Sequence, residues 1–587
     1  MLYYIWYKIR KYPASNTDGK LFIMKILLIY PYFLENRIHE DDIAVVPQGL
    51  FYVGAVVKEN NYNVEILNWH NINKTPEKIS DILSEKKPDI IGFSILHANR
   101  WGGIEIARIA RQVNQNVKIV FGGIGATFLW KHFLTHFQEI DYVVIGEGEY
   151  SFLKLVGCLK KKDKKGIEII RGIAFRKNGK AVKTKRCELI NNLDKLPMPA
   201  KYYNFQHLSL TRGCPGKCTF CGSPRFWGTK IRFHSIDYFV KQLERLYKKG
   251  ITFFYFSDDT FTISKKRVIQ ICRKILEKKL KIVWVAISRV NYVNDEIICW
   301  MKKAGCIQIS YGVESGCEKI RNSLNKNIST NQIKKAFSVT LKYGILARAY
   351  FIYGCRGESL ESIQETIDLI REIKPLSTIF YILDIFPGTT LYEEYKKNFN
   401  VTDDIWLKRV EDIMYFETDP KLSEKLIIEF GKRLRNTYYE MLPEFVNSIS
   451  LIDKKELYPM HSDFLSRLAM TFDHGDYACI ESIKEKEKIA EKLYKMSLEY
   501  HPDPRSFLGL GIAKQKSSNY KQSVKILAKG IKYFPNSQQL GLCIGISHMN
   551  LGEYKKALSY LLPFQKSKEV LPFIEDCYKA LNNFKSK

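Results

Sequence analysis

One stretch constrains this chain more than any other: Thr211-Arg-Gly-Cys-Pro-Gly-Lys-Cys-Thr-Phe-Cys-Gly222. Cys214, Cys218 and Cys221 stand at C-x3-C-x2-C spacing, and the next cysteine is Cys272. A four-iron cluster takes four ligands, usually thiolates. Three thiolates from one loop hold three irons and leave the fourth open, and an open position is where a metal centre does chemistry. Gly213, Gly216 and Gly222 let such a loop wrap closely. Three chance or packing thiols fit poorly with so strict a spacing in a loop-like setting. Cys214, Cys218 and Cys221 are therefore the candidate metal ligands.

Upstream, residues 24–150 alternate short apolar runs with helical patterns. The runs are Lys25–Tyr30, Val64–Leu67, Asp89–Ile95, Lys118–Phe121 and Asp141–Ile145; Gly49–Asn60, Pro76–Lys86 and Gly103–Asn114 lie between them. Runs of this length read as buried parallel strands, and the alternation predicts an α/β, doubly wound fold. Such sheets bind ligands at the carboxyl ends of their strands. The candidates there are Ser94, then Gly122, Gly123, Gly125, Ala126 and Thr127, then Gly146, Glu147 and Gly148. Alone, they fit a generic phosphate-binding or purely structural domain equally well. His70 and His97 also fall near strand ends and read as packing or surface histidines.

The alternation restarts over 201–400. Six strands are expected at His207–Leu210, Thr252–Phe256, Ile282–Ile287, Ile307–Tyr311, Ala347–Tyr353 and Ile379–Ile385, with helices between them. Six such units make a partial (β/α)6 barrel resembling a TIM barrel, whose chemistry sits at the carboxyl ends of the strands. The first strand feeds the cysteine loop. The second ends in Asp258-Asp259, a pair able to accept from an ammonium or hydroxyl, or else to cap a helix. The third ends in Ser288-Arg289, the fourth in Gly312-Val-Glu314-Ser, and the fifth in Gly354-Cys355-Arg-Gly-Glu358. Cys355 reads more as packing than as catalytic, and catalytic residues remain unassigned.

With Phe220 directly before the last cysteine, the loop resembles the cluster motif of radical S-adenosylmethionine (SAM) enzymes. The upstream loops resemble the cobalamin (B12)-binding domain that one branch of those enzymes carries ahead of the barrel. The resemblance spans roughly residues 24–400. It implies a [4Fe-4S] cluster whose open iron is chelated by SAM, and reductive cleavage of SAM to a 5′-deoxyadenosyl radical. It further implies SAM contacts from Phe220, Asp258, Asp259, Ser288, Arg289, Glu314, Gly354 and Glu358. Cobalamin would take Ser94, Gly122, Gly123, Gly125, Ala126, Thr127, Gly146, Glu147 and Gly148. Two departures stand out. Cys355-Arg356 replaces the family's Leu-Pro pair, and Pro31-Tyr-Phe-Leu-Glu-Asn-Arg-Ile-His39 lacks the Asp-x-His-x-x-Gly loop that gives many cobalamin proteins a lower axial histidine. Because the first cysteine is Cys158, the methylthiotransferase branch, with cluster cysteines in its N-terminal domain, is disfavoured.

The remaining segments are an N-terminal extension at 1–23, with Met24 reading as the domain's true start, and a connector at 151–200 with a hairpin across Lys177-Asn-Gly-Lys180. A helical region follows at 401–490. Over 491–587 a repeat appears: Gly511 and Gly545, Tyr520 and Tyr554, and Val524 and Leu558 share the 34-residue tetratricopeptide offset. Stacked helix pairs of that kind suit a peptide or protein partner, or act as a structural cap.

Composition enters as an exclusion. The net charge of +30 is spread along the chain, which argues for solvated surface over a nucleic-acid footprint. No apolar run reaches membrane-spanning length. Thirteen cysteines without a regular framework point to a reducing, cytoplasmic setting. The reading is a cobalamin-dependent radical SAM enzyme that C-methylates an unactivated carbon and draws electrons from a partner such as flavodoxin or ferredoxin. The alternatives are a radical SAM cyclase or rearrangement enzyme without methyl transfer, and a non-catalytic repeat scaffold.

Overall fold

The computed structural model describes residues 24–34 and 45–585. The expected extension at 1–23, and most of the loop that replaces the axial-histidine motif, lie outside the described residues.

The N-terminal sheet contains β1 (Lys25–Tyr30), β2 (Asn63–Asn68), β3 (Ile90–Ser94), β4 (Lys118–Gly122), β5 (Tyr142–Val144), β6 (Ile173–Lys177) and β7 (Lys180–Lys183). Their order is β2-β1-β3-β4-β5-β6-β7. The first five pair in parallel, and the last two add antiparallel. β1 and β3 have neighbours on both sides and helices on both faces, so their runs are apolar throughout and buried from Ile26 to Tyr30 and Ile90 to Phe93. The segment 151–200 differs from a plain connector: its hairpin extends this sheet. The Asn178-Gly179 turn has φ of 50° and 76°, and the hairpin runs over Ile173–Lys183. The preceding helix runs from Glu149 to Lys161.

The barrel begins with β8 (His207–Leu208). Then come a short pair, β9 (Thr211–Arg212) and β10 (Arg232–Phe233), and β11 (Phe253–Phe256), β12 (Val283–Ser288), β13 (Cys306–Glu314), β14 (Leu346–Tyr353) and β15 (Ser377–Ile382). A parallel six-stranded sheet runs β15-β14-β13-β12-β11-β8. Ser329 and Gln332 form a reciprocal capping box at the start of the helix Thr330–Lys342. Two further short strands, β16 (Asp384–Ile385) and β17 (Ile413–Met414), pair antiparallel beyond the barrel.

The chain after the barrel folds back on the N-terminal domain. Arg100, fully buried, donates to the carbonyls of Val410 and Glu411, and Trp101 donates to that of Lys408. Trp406 is buried between the His97 ring, 4.1 Å away, and the Arg100 guanidinium, 4.9 Å away. The helix Glu424–Asn447 then packs on β14 and β15.

Further helices form antiparallel pairs, Pro504–Lys516 with Tyr520–Tyr533 and Gln538–Asn550 with Tyr554–Leu561. A Cβ on Gly511 would stand 2.5 Å from Leu527, and one on Gly545 2.6 Å from Leu561, so the same close helix contact recurs at the same sequence offset. Among the described residues no helix is long and apolar enough to cross a membrane.

Candidate active site

The cysteine loop leaves β9 and returns through β10, with Arg212 opposite Arg232 and Thr211 opposite Phe233. This two-stranded clip fixes both ends of the loop. Gly213 turns out of it at φ 106°, where a Cβ would meet the Lys230 carbonyl at 3.1 Å; only glycine suits both demands. Farther along, Thr219 donates to the Leu324 carbonyl and accepts from the Leu391 backbone, each at 3.0 Å. Asn325 donates to the Lys217 carbonyl at 2.8 Å. Burial pushes the Cys221 thiol up to about 12, with Asp259, Cys218 and Cys214 adding to the rise and a Ser223 backbone bond opposing it. Three thiols gathered in one loop suit a positively charged centre, which makes thiolates of its ligands. The donor set fits an iron–sulfur cluster.

A buried polar chain runs from this loop to the fourth strand end. Arg289 directs Nη1 to Cys218 Sγ at 3.7 Å and Nη2 to the Lys326 carbonyl at 2.5 Å. Lys326 Nζ pairs with Glu314 Oε1 at 2.5 Å, with both side chains less than a tenth exposed. Glu314 adopts φ 69° where β13 shifts register against β14. A Cβ on Gly312 would lie 2.4 Å from Glu314 Oε1 and 2.6 Å from Lys326 Nζ, so the glycine of Gly312-Val-Glu-Ser makes the room this ion pair occupies.

Two other strand-end carboxylates are engaged with loop backbone. Asp258 accepts from the Leu210 and Thr211 backbone and from the Thr211 hydroxyl, bracing the entry to the cysteine loop. Glu358 Oε2 accepts from the Gly354 and Cys355 backbone, bracing the turn after β14. Burial raises each to about 7 against the opposing pull of these bonds. Asp259 caps no helix; it receives the Ser223 hydroxyl at 2.5 Å. Ser288 shares a hydrogen bond with Thr262. Phe220 packs against the apolar core that joins the N-terminal domain to residues 383–406. Cys355 is fully buried in that core, as a packing residue would be.

Across from the loop, a cavity of about 270 Å³ opens at the carboxyl ends of the N-terminal strands. Leu28, Val120, Val144 and Phe152 make its apolar floor, and Ser94, Gly122, Gly123, Gly146, Glu147 and Gly148 line it. Glycine-rimmed and apolar inside, it fits the buried part of a large cofactor. Gly125 and Ala126 instead hold the fold: a Cβ on Gly125 would strike the Leu96 carbonyl at 2.7 Å, and Ala126 is fully buried. Thr127 ties two loops, donating to the Gly123 carbonyl at 2.8 Å and accepting from Gly146 N–H at 3.0 Å. Phe226 and Trp227, on the short helix Ser223–Trp227 directly after the cysteines, line the same cavity. The cysteine loop and the cavity thus share a wall.

Glu147 faces inward onto ion pairs. It accepts from Arg212 and from Arg232 at 2.8 Å each and takes Ile190 N–H, while Glu149 receives Arg212 Nη2. Arg212, Arg232, Glu149 and Lys326 had no signal of their own in the sequence beyond the position of Arg212 beside the motif.

Comparison with known proteins gives the following. The family model for the Radical SAM superfamily matches residues 208–370, and that for the B12 binding domain matches residues 44–156. An uncharacterized methyltransferase of Pyrococcus horikoshii is 32% identical over 431 residues, covering 71% of this chain and 92% of its own. The anaerobic magnesium-protoporphyrin IX monomethyl ester cyclase of Rubrivivax gelatinosus is 25% identical over 402 residues, 65% of this chain and 71% of its own. Among solved structures, the radical S-adenosylmethionine methyltransferase TsrM of Kitasatospora setae, with cobalamin and a [4Fe-4S] cluster bound, superposes with a TM-score of 0.55 at 17% identity. It covers 64% of this chain and 75% of its own, a likeness of fold.

Proposed function

The chain belongs to the radical SAM superfamily, in the branch with a B12-binding domain, and from that premise we propose that it transfers a methyl group to an unactivated carbon of its substrate. It is a cobalamin-dependent radical SAM enzyme with a [4Fe-4S] cluster, SAM and cobalamin as cofactors.

The observation that carries the methyl-transfer reading is the shared wall. Only the stretch Gly222–Arg225 separates Cys221 from Phe226 and Trp227, which line the cavity of the other domain. When bound, SAM at the cluster would supply a hydrogen-abstracting radical, and cobalamin a transferable methyl group. Cys214, Cys218 and Cys221 would hold the cluster. Arg289, with the Lys326–Glu314 pair behind it, offers a fixed cation for a carboxylate next to the cluster. Asp258 and Glu358 keep two strand-end loops in shape, and Phe226 and Trp227 give the wall an aromatic surface. Names among the relatives favour methyl transfer over ring formation, since the most identical one described above is a methyltransferase. Cyclisation remains the rival reading because a cyclase is also a relative.

Enzymes of this superfamily need a reductant, and flavodoxin or ferredoxin is the proposed donor. A reducing cytoplasm suits the thirteen cysteines, none of which is in a disulfide. The C-terminal helix pairs are proposed to hold a peptide or protein partner.

The test is anaerobic reconstitution followed by incubation with SAM labelled by deuterium in its methyl group, in an extract of the source cells. Transfer gives a product carrying the label, absent with Cys218→Ala. Formation of 5′-deoxyadenosine and retention of corrinoid without any labelled product would overturn methyl transfer in favour of cyclisation or rearrangement.

A further inference from the structure

We propose that His132, His136 and Asp404 form a site for a divalent cation of the zinc class, which clasps the N-terminal domain to the segment after the barrel. His132 and His136 lie one turn apart on the helix Trp130–His136 and so share a face. Asp404 lies in the short 3-10 helix Asp403–Leu407. The three ligand atoms come within 4.8 Å of one another, and His136 Nε2 is 2.8 Å from Asp404 Oδ1. Tetrahedral zinc ligands stand about 3.4 Å apart, given metal–ligand distances of about 2.1 Å. His136 and Asp404 are exposed, so they are free to close that difference by side-chain rotation.

The observation that points to a ligand is His132. Its side chain is only 4% exposed, yet neither ring nitrogen has a hydrogen-bond partner. A buried imidazole left unsatisfied costs about 1–3 kcal/mol. Its ring contacts are Phe133, Phe137 and the His136 ring, and the two phenylalanines offer no hydrogen bond to either nitrogen. Two imidazoles and one carboxylate are a donor set for zinc, nickel or cobalt(II), with the remaining position left to water. Asp403, the next carboxylate, is occupied by the Tyr392 hydroxyl at 2.7 Å and by Lys396 at 3.2 Å. A cation here would lock the 403–407 turn, and with it Trp406, onto the N-terminal domain. The histidine spacing is visible in sequence, but Asp404 lies far along the chain and only the fold brings it near.

The experiment uses the full chain reconstituted with cluster and cobalamin, so that the cysteines are occupied. It is incubated with zinc, desalted and analysed for zinc, iron and cobalt. The expected result is one zinc per chain, bound more than about tenfold more weakly by His136→Ala and by Asp404→Ala. Both positions are exposed, and unchanged iron and cobalt contents show that the variants have folded. X-ray absorption at the zinc edge is expected to show nitrogen and oxygen neighbours alone. Absence of zinc from the wild type, equal zinc in both variants, or sulfur in the first shell would overturn the proposal.

Discussion

The guanidinium of Arg212, two residues before Cys214, lies 2.8 Å from Glu147 Oε1 across the boundary between the two α/β domains, with the side chains 8% and 1% exposed. Its other nitrogen reaches Glu149, and Trp227 and Tyr52 flank it at 5.1 and 5.3 Å. Burial alone would lower the Arg212 pKa, but Glu149 and Glu147 more than reverse this. The strand that enters the cysteine loop is therefore tied to the strand-end loop of the other cofactor domain. Removing one partner of a buried pair costs about 3–5 kcal/mol, because the other charge is left without compensation. Arg212→Ala is expected to lower the melting temperature and to release corrinoid on gel filtration. Arg171→Ala, which breaks an exposed pair with Glu188, is expected to do neither.

Gly312→Ala puts a methyl group onto the Glu314–Lys326 pair. One carbon of overpacking costs about 1–3 kcal/mol, and here it pushes Lys326 away from Glu314. Since the Lys326 carbonyl also holds Arg289, the shift reaches Cys218. The expected outcome is a raised KM for SAM in the 5′-deoxyadenosine assay with the iron content unchanged. An unchanged KM would show that this pair does not serve the SAM site.

Gly388 stands at φ 89°, and a Cβ on it would lie 2.2 Å from the Phe128 ring of the other domain. Gly388→Ala combines backbone strain with a clash, for a loss of more than about 1 kcal/mol. Phe128→Ala removes the clash but not the strain. The double variant is expected to be more stable than the sum of the single losses predicts, a coupling of about 0.5–3 kcal/mol measured by denaturation of all four proteins.

Glu358 provides a pH dependence. Its carboxyl rises from 4.5 to about 7 in the folded chain, chiefly through burial. Between those values the folded chain keeps a proton that the unfolded chain has released. Stability therefore falls as pH rises through this window and levels off above about 7, by roughly 3 kcal/mol for this group. Asp258 adds to the fall with the same sign. Glu358→Gln keeps an oxygen for the Gly354 and Cys355 N–H groups and loses the titration. Melting temperatures measured between about pH 4.5 and pH 8 are expected to drop less steeply in this variant; an unchanged slope would rule Glu358 out as the source.

Much of the architecture was legible in the residues. β1 matches its apolar run from end to end, and Ser329-x-x-Gln332 forms the box its spacing announces. Both are local: a strand buried on both faces must be apolar throughout, and a cap bonds within one turn. The loop glycines were legible for the same reason. Of the nine positions proposed for cobalamin, Ser94, Gly122, Gly123, Gly146, Glu147 and Gly148 line one cavity at the strand ends. Roles were harder to read than places. Asp258 and Glu358 look like ligand carboxylates in a sequence; in the fold Asp258 accepts from the Thr211 backbone at the entry to the cysteine loop, and Glu358 from the Gly354 backbone of its own turn. The hairpin at Ile173–Lys183 was recognisable as a hairpin, but its attachment to β5 was not.

By itself the sequence determined the cysteine triad and the alternation of strands and helices in the two α/β domains, because spacing and periodicity are properties of neighbouring residues. Only the tertiary structure decided that Lys326 pairs with Glu314, that Arg212 and Arg232 converge on Glu147, and that Phe226 and Trp227 wall the cavity of another domain. The reason is physical. A buried charge must find its counter-charge wherever the folded chain supplies one, and that place is set by the packing of sheets and helices distant in sequence.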